Sequence, residues 1–267
     1  FVMGIYNYIS LIKIGHTVFA IPFAIIGFLL AVTLTGAVFN WKLFVLVILC
    51  MVFARSAAMA FNRYIDRNID KANPRTQIRE IPSGIISANS ALLFVVLNSI
   101  LFIAATFFIN RICFFLSPIA LLVILGYSLT KRFTWLCHLI LGLGLSLAPI
   151  GAYLAVAGKF HILPLFYSFA VLFWVSGFDI IYALQDEDFD KHQQLRSIPA
   201  WLGKKRALRL SSFFHLITVA FIIYAGWYAS FHLWYWIGSG SFISLLFYQH
   251  TLVKPNDLSK VNLAFFT

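Results

Sequence analysis

The sequence predicts an all-α fold, a multi-span transmembrane helical bundle, and two observations support this most directly. Of the 267 residues, 61% are hydrophobic and only 11% are charged, whereas about a quarter of the residues in a soluble domain are charged. The apolar residues also form continuous runs of roughly 20 residues, the length that a membrane helix requires. This composition excludes an ordinary soluble domain, a disordered chain and a disulfide-rich secreted domain.

Eight membrane spans are expected along the chain. They lie near residues 17–36, 41–62, 88–109, 112–130, 138–157, 163–185, 206–229 and 231–252. A further apolar run begins after Lys260, and we expect it to be the start of a ninth, truncated span; a frayed tail at the membrane surface is the alternative. We expect residues 1–267 to form a single transmembrane domain.

The charges are distributed unequally between the two sides of the predicted bundle. The side with the short connections carries three bases, Lys42, Arg111 and Lys159, and none of the nine acids. Because cytoplasmic loops are rich in Lys and Arg, the other side is expected to face the cytoplasm, from the inner (plasma) membrane. The net charge of +11 also suits a nucleic-acid partner, but the apolar composition argues against one.

The first acidic cluster follows the second span. Asn62, Asp66 and Asp70 recur every four residues and therefore share one helix face. Arg55 lies seven residues before Asn62 and is expected on the same face. One or two carboxylates together with substrate phosphates are typical ligands of Mg²⁺. A solvated helix end is the alternative, but a base inside an apolar span usually marks function. Bases suited to phosphate oxygens surround the acids: Arg63, Arg67, Lys71, Arg75 and Arg79.

The second acidic cluster ends the sixth span. Asp179, Asp186 and Asp190 are spaced by seven and four residues, so they also share a helix face, with Tyr182 at its border. Asp188 falls on the opposite side, where we expect solvent. Asp179 lies deepest in the span, and the alternative to a functional role is a buried polar residue that caps a neighbouring helix.

The two clusters are predicted to form one site on the same side of the membrane. Up to two Mg²⁺ ions would bridge a diphosphate there and neutralise the leaving group. The expected metal ligands are Asp66, Asp70, Asp186 and Asp190. Lys131 and Arg132 lie in the other polar loop and could contact the same phosphates, or they could be ordinary cytoplasmic loop residues.

These residues resemble those of the UbiA-type intramembrane prenyltransferases. That family carries N-D-x-x-D-x-x-x-D after its second helix and D-x-x-x-D after its sixth of nine helices. Asn62, Asp66 and Asp70 match the first motif, and Asp186 and Asp190 match the second. The residues at 179–183 are similar to the family's D-x-x-Y-A lead-in, and those at 79–84 to its R-P-L-P-S-G turn.

One position departs from the family pattern. Arg63 stands where the Asp after the Asn is usual, which removes a possible metal ligand and adds a base. Together with residues 16–20, 73–76 and 130–134, this resembles the prenyltransferases of the futalosine route to menaquinone, which often carry the label 4-hydroxybenzoate polyprenyltransferase.

The resemblance implies a Mg²⁺-dependent transfer of a polyprenyl group from polyprenyl diphosphate to an aromatic acid of ubiquinone or menaquinone biosynthesis. The acceptor would be 4-hydroxybenzoate or a dihydroxynaphthoate. Asp179 and Tyr182 would neighbour the acceptor or the allylic cation, and Arg55 would hold the acceptor carboxylate or a phosphate. The catalytic residues implied are Asn62, Asp66, Asp70, Asp179, Asp186 and Asp190.

Other functions remain open at this point. A membrane transporter would also carry intramembrane charges, but those are expected near the bilayer midplane. A membrane phosphatidyltransferase has a contiguous motif, whereas these clusters are four spans apart. A UbiA-type enzyme with another acceptor, haem or chlorophyllide, fits the same architecture.

Overall fold

The computed structural model describes the backbone of residues 2–266 and the side chains of residues 6–13 and 20–264. Helices account for most of this part of the chain, and it contains no strand beyond a single isolated bridge between Lys254 and Asp257. The predicted all-α class is therefore confirmed. The helices are α1 (Val2–Ile12), α2 (Ile14–Thr35), α3 (Trp41–Ile65), α4 (Arg67–Ala72), α5 (Ala88–Ile109), α6 (Arg111–Thr130), α7 (Cys137–Ala157), α8 (Ile162–Ala183), α9 (Glu187–His192), α10 (Ile198–Leu202), α11 (Lys204–Tyr228), α12 (Leu233–Leu252) and α13 (Val261–Phe266), with a 3₁₀ turn (Leu184–Asp186) between α8 and α9.

Within the described residues, six helical stretches are long and apolar enough to cross a membrane. They are α3, α5, α6, α7, α8 continued to His192, and α11. They correspond to the second to seventh predicted spans, which confirms an integral membrane protein. The described apolar part of α2, Ala20–Thr35, is shorter, so the first and eighth spans stay predictions.

The chain divides into two compact units, and the first comprises residues 1–129 and 147–160. In this unit α3 packs mainly along α5. Gly27 of α2 lies directly against the backbone of Pro149 in α7, where an added Cβ would collide with the carbonyl oxygen. Asn110 donates from Nδ2 to the carbonyl oxygen of Leu154 (2.9 Å) and accepts from the Cys113 N–H (2.9 Å). These contacts hold together the helices of the unit that carries the first acidic motif.

The second unit comprises residues 130–146 and 161–267. Here α8 packs along α11, and Gly177 allows the ring of His215 to approach the α8 backbone. Ser211 Oγ donates to the carbonyl oxygen of Gly177 (2.7 Å), which ties the two helices together. A buried apolar cluster that includes Ile180, Leu184 and Ala207 closes this interface at the end that carries the second acidic motif.

Both acidic motifs lie where a long helix is interrupted. Asp66 separates α3 from α4, yet its N–H donates to the Asn62 carbonyl (2.9 Å) and its carbonyl accepts from the Asp70 N–H (2.7 Å). The helical spacing therefore continues through the break. Asp186 ends the 3₁₀ turn after α8. The prediction that α-helical spacing continues through the second motif was wrong at this turn. A 3₁₀ helix rotates more per residue than an α-helix, so the side chains after the turn point in a different direction than α-helical spacing predicts.

Candidate active site

The first unit brings together the three residues of the N-x-x-x-D-x-x-x-D motif. Asn62 donates from Nδ2 to Asp66 Oδ2 (3.2 Å), and Asp66 is only 2% exposed. Asp70 is 4% exposed, and its Oδ1 accepts from Arg79 Nη1 (2.7 Å). Among the described residues, nothing hydrogen-bonds Asp70 Oδ2, which is buried. The pair therefore combines one fully oriented carboxylate with another that has an oxygen atom available for a ligand.

Arg63 is buried close to the acids of the first acidic cluster. The side chain is 7% exposed and interacts electrostatically with Asp70, Glu80 and Arg79. Its Nε has no hydrogen-bond partner in the described part of the chain. The base that replaces the family's usual acid is thus under the electrostatic influence of two carboxylates, those of Asp70 and Glu80.

Glu80 also belongs to the first acidic cluster, although the sequence does not assign it there. It is 8% exposed, its Oε1 accepts from Ser10 Oγ (2.5 Å), and its Oε2 is buried without a partner among the residues described. The available signal was that Glu80 is the only acid between Asp70 and Asp179, at a place where the family turn has Pro. An acid at that place compensates the extra base, Arg63.

Arg55 is linked to the same cluster through Tyr127 of α6. Tyr127 was not predicted from the sequence. Tyr127 interacts electrostatically with Arg55, Arg63 and Asp66. Arg55 Nε is buried and finds no hydrogen-bond partner in the described ranges. The predicted common face of Arg55 and Asp66 is therefore supported by a shared neighbour.

The remaining bases of the first cluster are oriented differently. Arg67 donates from Nη1 to the carbonyl oxygen of Tyr64 (2.8 Å), and its guanidinium lies over the Tyr64 ring at 4.7 Å. The Arg75 side chain is exposed, and its N–H donates to Asn73 Oδ1 (2.9 Å). A role for Arg67 and Arg75 in binding phosphate stays a prediction.

The second unit brings Asp186 and Asp190 together with Lys131. Asp190 interacts electrostatically with Asp186, Lys131 and His138. Asp190 Oδ2 also accepts from Ser197 Oγ (2.7 Å). Lys131 is therefore close enough to influence the charge of this motif. Arg132, beside it, is half-buried, and a role for these two bases in binding phosphate stays a prediction.

Asp179 has a specific partner that the sequence did not reveal. Its Oδ2 is 2.6 Å from Nδ1 of His138, in the first turn of α7. Asp179 therefore pairs with a side chain, which differs from the alternative of capping a neighbouring helix. The available signal was a histidine at the start of the fifth span, close to the basic loop. Tyr182, the predicted border residue, packs against the apolar cluster of α8 and α11.

The other two acids of this segment have no place in the motif. Glu187 is buried and forms an ion pair with Lys191 (2.5 Å). Asp188 is exposed, as predicted. Asp188 therefore serves as a control position for experiments on its neighbours.

The carboxylate pairs fit magnesium that is shared with a substrate phosphate. Over the described residues, no group of three or more His, Cys, Asp and Glu side chains could hold a metal ion by itself. Mg²⁺ often takes only one or two carboxylates and completes its shell with phosphate oxygens and water. A buried carboxylate oxygen without a partner, such as Asp70 Oδ2, requires a donor or a cation.

The fold and the two motifs define a helical membrane protein with paired carboxylates, an arrangement that suits chemistry on a phosphorylated substrate. Residues 20–267 match the UbiA prenyltransferase family. The chain belongs to this family and is a prenyltransferase, which confirms the resemblance and favours an enzyme over a transporter.

Individual relatives agree with the family. The chain is 29% identical to a 4-hydroxybenzoate octaprenyltransferase of Coxiella burnetii over 221 residues, 82% of this chain and 77% of the relative. The structure of a UbiA homolog from Aeropyrum pernix K1 is similar with a TM-score of 0.87 and 31% identity, covering 94% of each chain. A UbiA homolog from Archaeoglobus fulgidus bound to DMAPP and Mg²⁺ has the same fold, with a TM-score of 0.74, 23% identity and coverage of 97% and 95%.

Proposed function

We propose that this protein transfers a polyprenyl group from polyprenyl diphosphate to a ring carbon of an aromatic acid in quinone biosynthesis, with Mg²⁺ as cofactor. The acceptor is 4-hydroxybenzoate or a dihydroxynaphthoate. The observation that carries the proposal is the buried Asp66–Asp70 pair, which keeps one carboxylate oxygen without a protein partner in the described part of the chain. The name of the Coxiella burnetii relative, a 4-hydroxybenzoate octaprenyltransferase, supports the acceptor class.

Magnesium binding is assigned to the two carboxylate pairs. Asp66 and Asp70 in one unit, and Asp186 and Asp190 in the other, would each supply a pair of carboxylates as oxygen ligands. A relative of the same fold is bound to DMAPP and Mg²⁺, which supports a divalent ion acting with a prenyl diphosphate. When bound, Mg²⁺ would neutralise charge on the diphosphate and so make it a better leaving group.

The protein's own residues orient the acids and bind the diphosphate. Asn62 holds Asp66 through its amide, and Arg79 holds Asp70, so both carboxylates are oriented before substrate arrives. Stabilisation of developing charge by pre-oriented groups is usually the largest catalytic contribution. The bases assigned to the diphosphate oxygens are Arg63, Arg67, Arg75, Lys131 and Arg132.

The reaction begins when the allylic C–O bond breaks and its electron pair leaves with the diphosphate. An electron-rich ring carbon of the acceptor then forms a bond to the allylic carbon, and the ring proton departs. Asp179 and Tyr182 are assigned to the surroundings of the acceptor and the allylic cation. Arg55, a buried base in an apolar helix, is assigned to the acceptor carboxylate or a phosphate.

The bilayer supplies the environment for the isoprenoid chain. The exposed apolar side chains of the spanning helices suit a polyprenyl tail that lies among lipids. We place the protein in the inner (plasma) membrane, and the concentration of bases on one side supports an orientation with the active-site loops in the cytoplasm.

Alanine substitution of one acid in each motif tests the assignment. In membranes supplied with geranyl diphosphate, 4-hydroxybenzoate and Mg²⁺, Asp66→Ala and Asp186→Ala should each lower the rate of product formation by about 100-fold or more. Asp188→Ala is the matched control, because this neighbouring acid is exposed, and it should keep the wild-type rate. Near-normal product formation in either motif variant would refute its assigned role.

Mass spectrometry of the products tests the acceptor. Incubation with 4-hydroxybenzoate and with 1,4-dihydroxy-2-naphthoate in parallel should yield a prenylated product from at least one of them. Haem and a chlorophyllide are tested in separate incubations, and products formed only from one of these would contradict the aromatic-acid proposal while leaving prenyl transfer intact.

A further inference from the structure

We propose that His138 and Ser197 are positioning residues that fix the carboxylates of Asp179 and Asp190, respectively. All four residues lie in the second unit. The inference rests on the proposed function, since it assigns a purpose to two side chains that touch the second acidic motif. Its evidence is a continuous set of hydrogen bonds that begins at α10 and ends at the two acids.

The hydrogen bonds of His138 determine which ring nitrogen carries the proton. The backbone N–H of Ile198 donates to His138 Nε2 (3.3 Å), and a backbone N–H can only donate, so Nε2 is the unprotonated nitrogen. In the neutral ring the proton is then on Nδ1, which donates to Asp179 Oδ2 at 2.6 Å. The bond to Asp179 therefore has a fixed direction, with the carboxylate as acceptor.

The position of the His138 ring is itself secured. The residue is buried, and its carbonyl oxygen accepts from Ser176 Oγ (3.1 Å). Ser176 lies on α8, one turn before Asp179, so the same two helices are joined by a second hydrogen bond. Asp179 is consequently held by a ring that has little freedom to rotate.

Ser197 performs the corresponding task for Asp190. Its Oγ accepts from the Ala200 N–H (3.3 Å), which caps α10, and its single hydroxyl proton donates to Asp190 Oδ2 (2.7 Å). Ser197 immediately precedes Ile198, whose N–H holds the His138 ring. Two adjacent residues thus orient the deep acid and a metal-ligand candidate of the same motif.

The segment before α10 is attached on both sides. The Arg196 N–H donates to the carbonyl oxygen of Lys131 (2.7 Å), and Arg196 Nη1 donates to that of Phe133 (2.7 Å). The Leu195 N–H donates to the carbonyl oxygen of Asp190 (2.8 Å). These bonds connect the basic loop to the motif, and such supporting groups keep catalytic side chains within the narrow geometry that a reaction needs.

Three variants of His138 separate positioning from simple stabilisation of the fold. The full-length protein in lipid nanodiscs is assayed with geranyl diphosphate, 4-hydroxybenzoate and Mg²⁺. His138→Ala should lower kcat by about 10–100-fold with little change in the KM for the diphosphate. His138→Asn keeps an N–H near the site of Nδ1 and should restore most of kcat, whereas His138→Gln, with its amide nearer the site of Nε2, should not.

Two results would overturn the proposed role of His138. Wild-type kcat in His138→Ala would overturn it. So would an Asn variant as slow as the Ala variant when both keep the wild-type Tm, because the donated hydrogen bond would then be irrelevant. A lower Tm in the Ala variant together with an unaltered kcat would assign only a structural role.

Ser197 is tested by binding, which does not depend on the acceptor. Ser197→Ala should raise the Mg²⁺ concentration needed for half-maximal binding of geranyl thiolodiphosphate by about 10-fold or more. Ser197→Thr keeps the hydroxyl and should bind like wild type. The control Ser244→Ala removes an exposed hydroxyl on α12 that bonds only its own helix, and it should leave the Mg²⁺ requirement unchanged.

The binding assay distinguishes failure of this inference from failure of the proposed function. An unchanged Mg²⁺ requirement in Ser197→Ala would overturn the role of Ser197 even in a fully active enzyme. Binding without product from any aromatic acid would instead refute the proposed acceptor, while the role of Ser197 would still be decided by its Mg²⁺ requirement. A wild-type protein that neither binds the analogue nor forms product would overturn both.

Discussion

Arg63 replaces an acid of the family motif with a base, and the carboxylate of Glu80 offsets this change in charge. A buried base stands where the family motif has an acid, and Glu80 supplies a buried carboxylate where the family turn has Pro. A buried charge without a partner costs several kcal/mol, so removal of one member of such a pair is strongly destabilising. We therefore expect the two departures from the family pattern to be energetically coupled.

Neutralising Glu80 should reveal this coupling. Glu80→Gln keeps an oxygen for Ser10 but removes the charge beside Arg63, so we expect the free energy of unfolding to fall by about 1–3 kcal/mol. The measurement is equilibrium unfolding in detergent micelles. In the double variant with Arg63→Met, the loss should be smaller than the sum of the single losses. Additive losses would contradict a direct interaction.

At the residue scale, the acids of both motifs can be recognised in the sequence, but their supporting partners cannot. Asn62, Asp66 and Asp70 could be predicted because they lie four residues apart and the helical spacing continues through the break at Asp66. His138 is separated from Asp179 by 41 positions and Ser10 from Glu80 by 70. Such contacts depend on how helices pack, and neither composition nor periodicity contains that information.

At the scale of elements, hydropathy predicts the long helices well because each spanning run must satisfy its backbone hydrogen bonds internally. The predicted span 88–109 coincides with α5, and 112–130 differs from α6 by one residue. The interruptions at Asp66 and at the 3₁₀ turn Leu184–Asp186 could not be predicted, since the polar residues on both sides fit helical spacing equally well.

Helix packing in the first unit depends on a close approach at Gly27. An added Cβ there would strike the backbone of Pro149, which cannot move aside as a flexible side chain would. We expect Gly27→Ala to destabilise the protein by about 1–3 kcal/mol, measured as a lower Tm in detergent. The matched control is Gly151→Ala, at an exposed α7 position with open space around its Cβ; an equal fall in Tm for the two variants would refute the steric explanation.

At the scale of the whole molecule, composition and charge distribution determine the class of protein. The chain is 61% hydrophobic, has a net charge of +11 and contains only nine acids. Most of these acids lie in the two motifs or close to the bases of the motifs. The family match over residues 20–267 agrees with this interpretation. The acceptor is recognised by a few side chains whose arrangement the motifs do not specify, so the sequence predicts prenyl transfer more sharply than its aromatic substrate.

Metal dependence of product formation tests the central claim most directly. The purified protein in nanodiscs is incubated with geranyl diphosphate and each aromatic acid, first with Mg²⁺, then after complete chelation of divalent ions, and finally with Mg²⁺ restored. We predict a product with the mass of the acid plus one geranyl group that disappears on chelation and returns with Mg²⁺. Product formation that continues undiminished without any divalent ion would contradict the account.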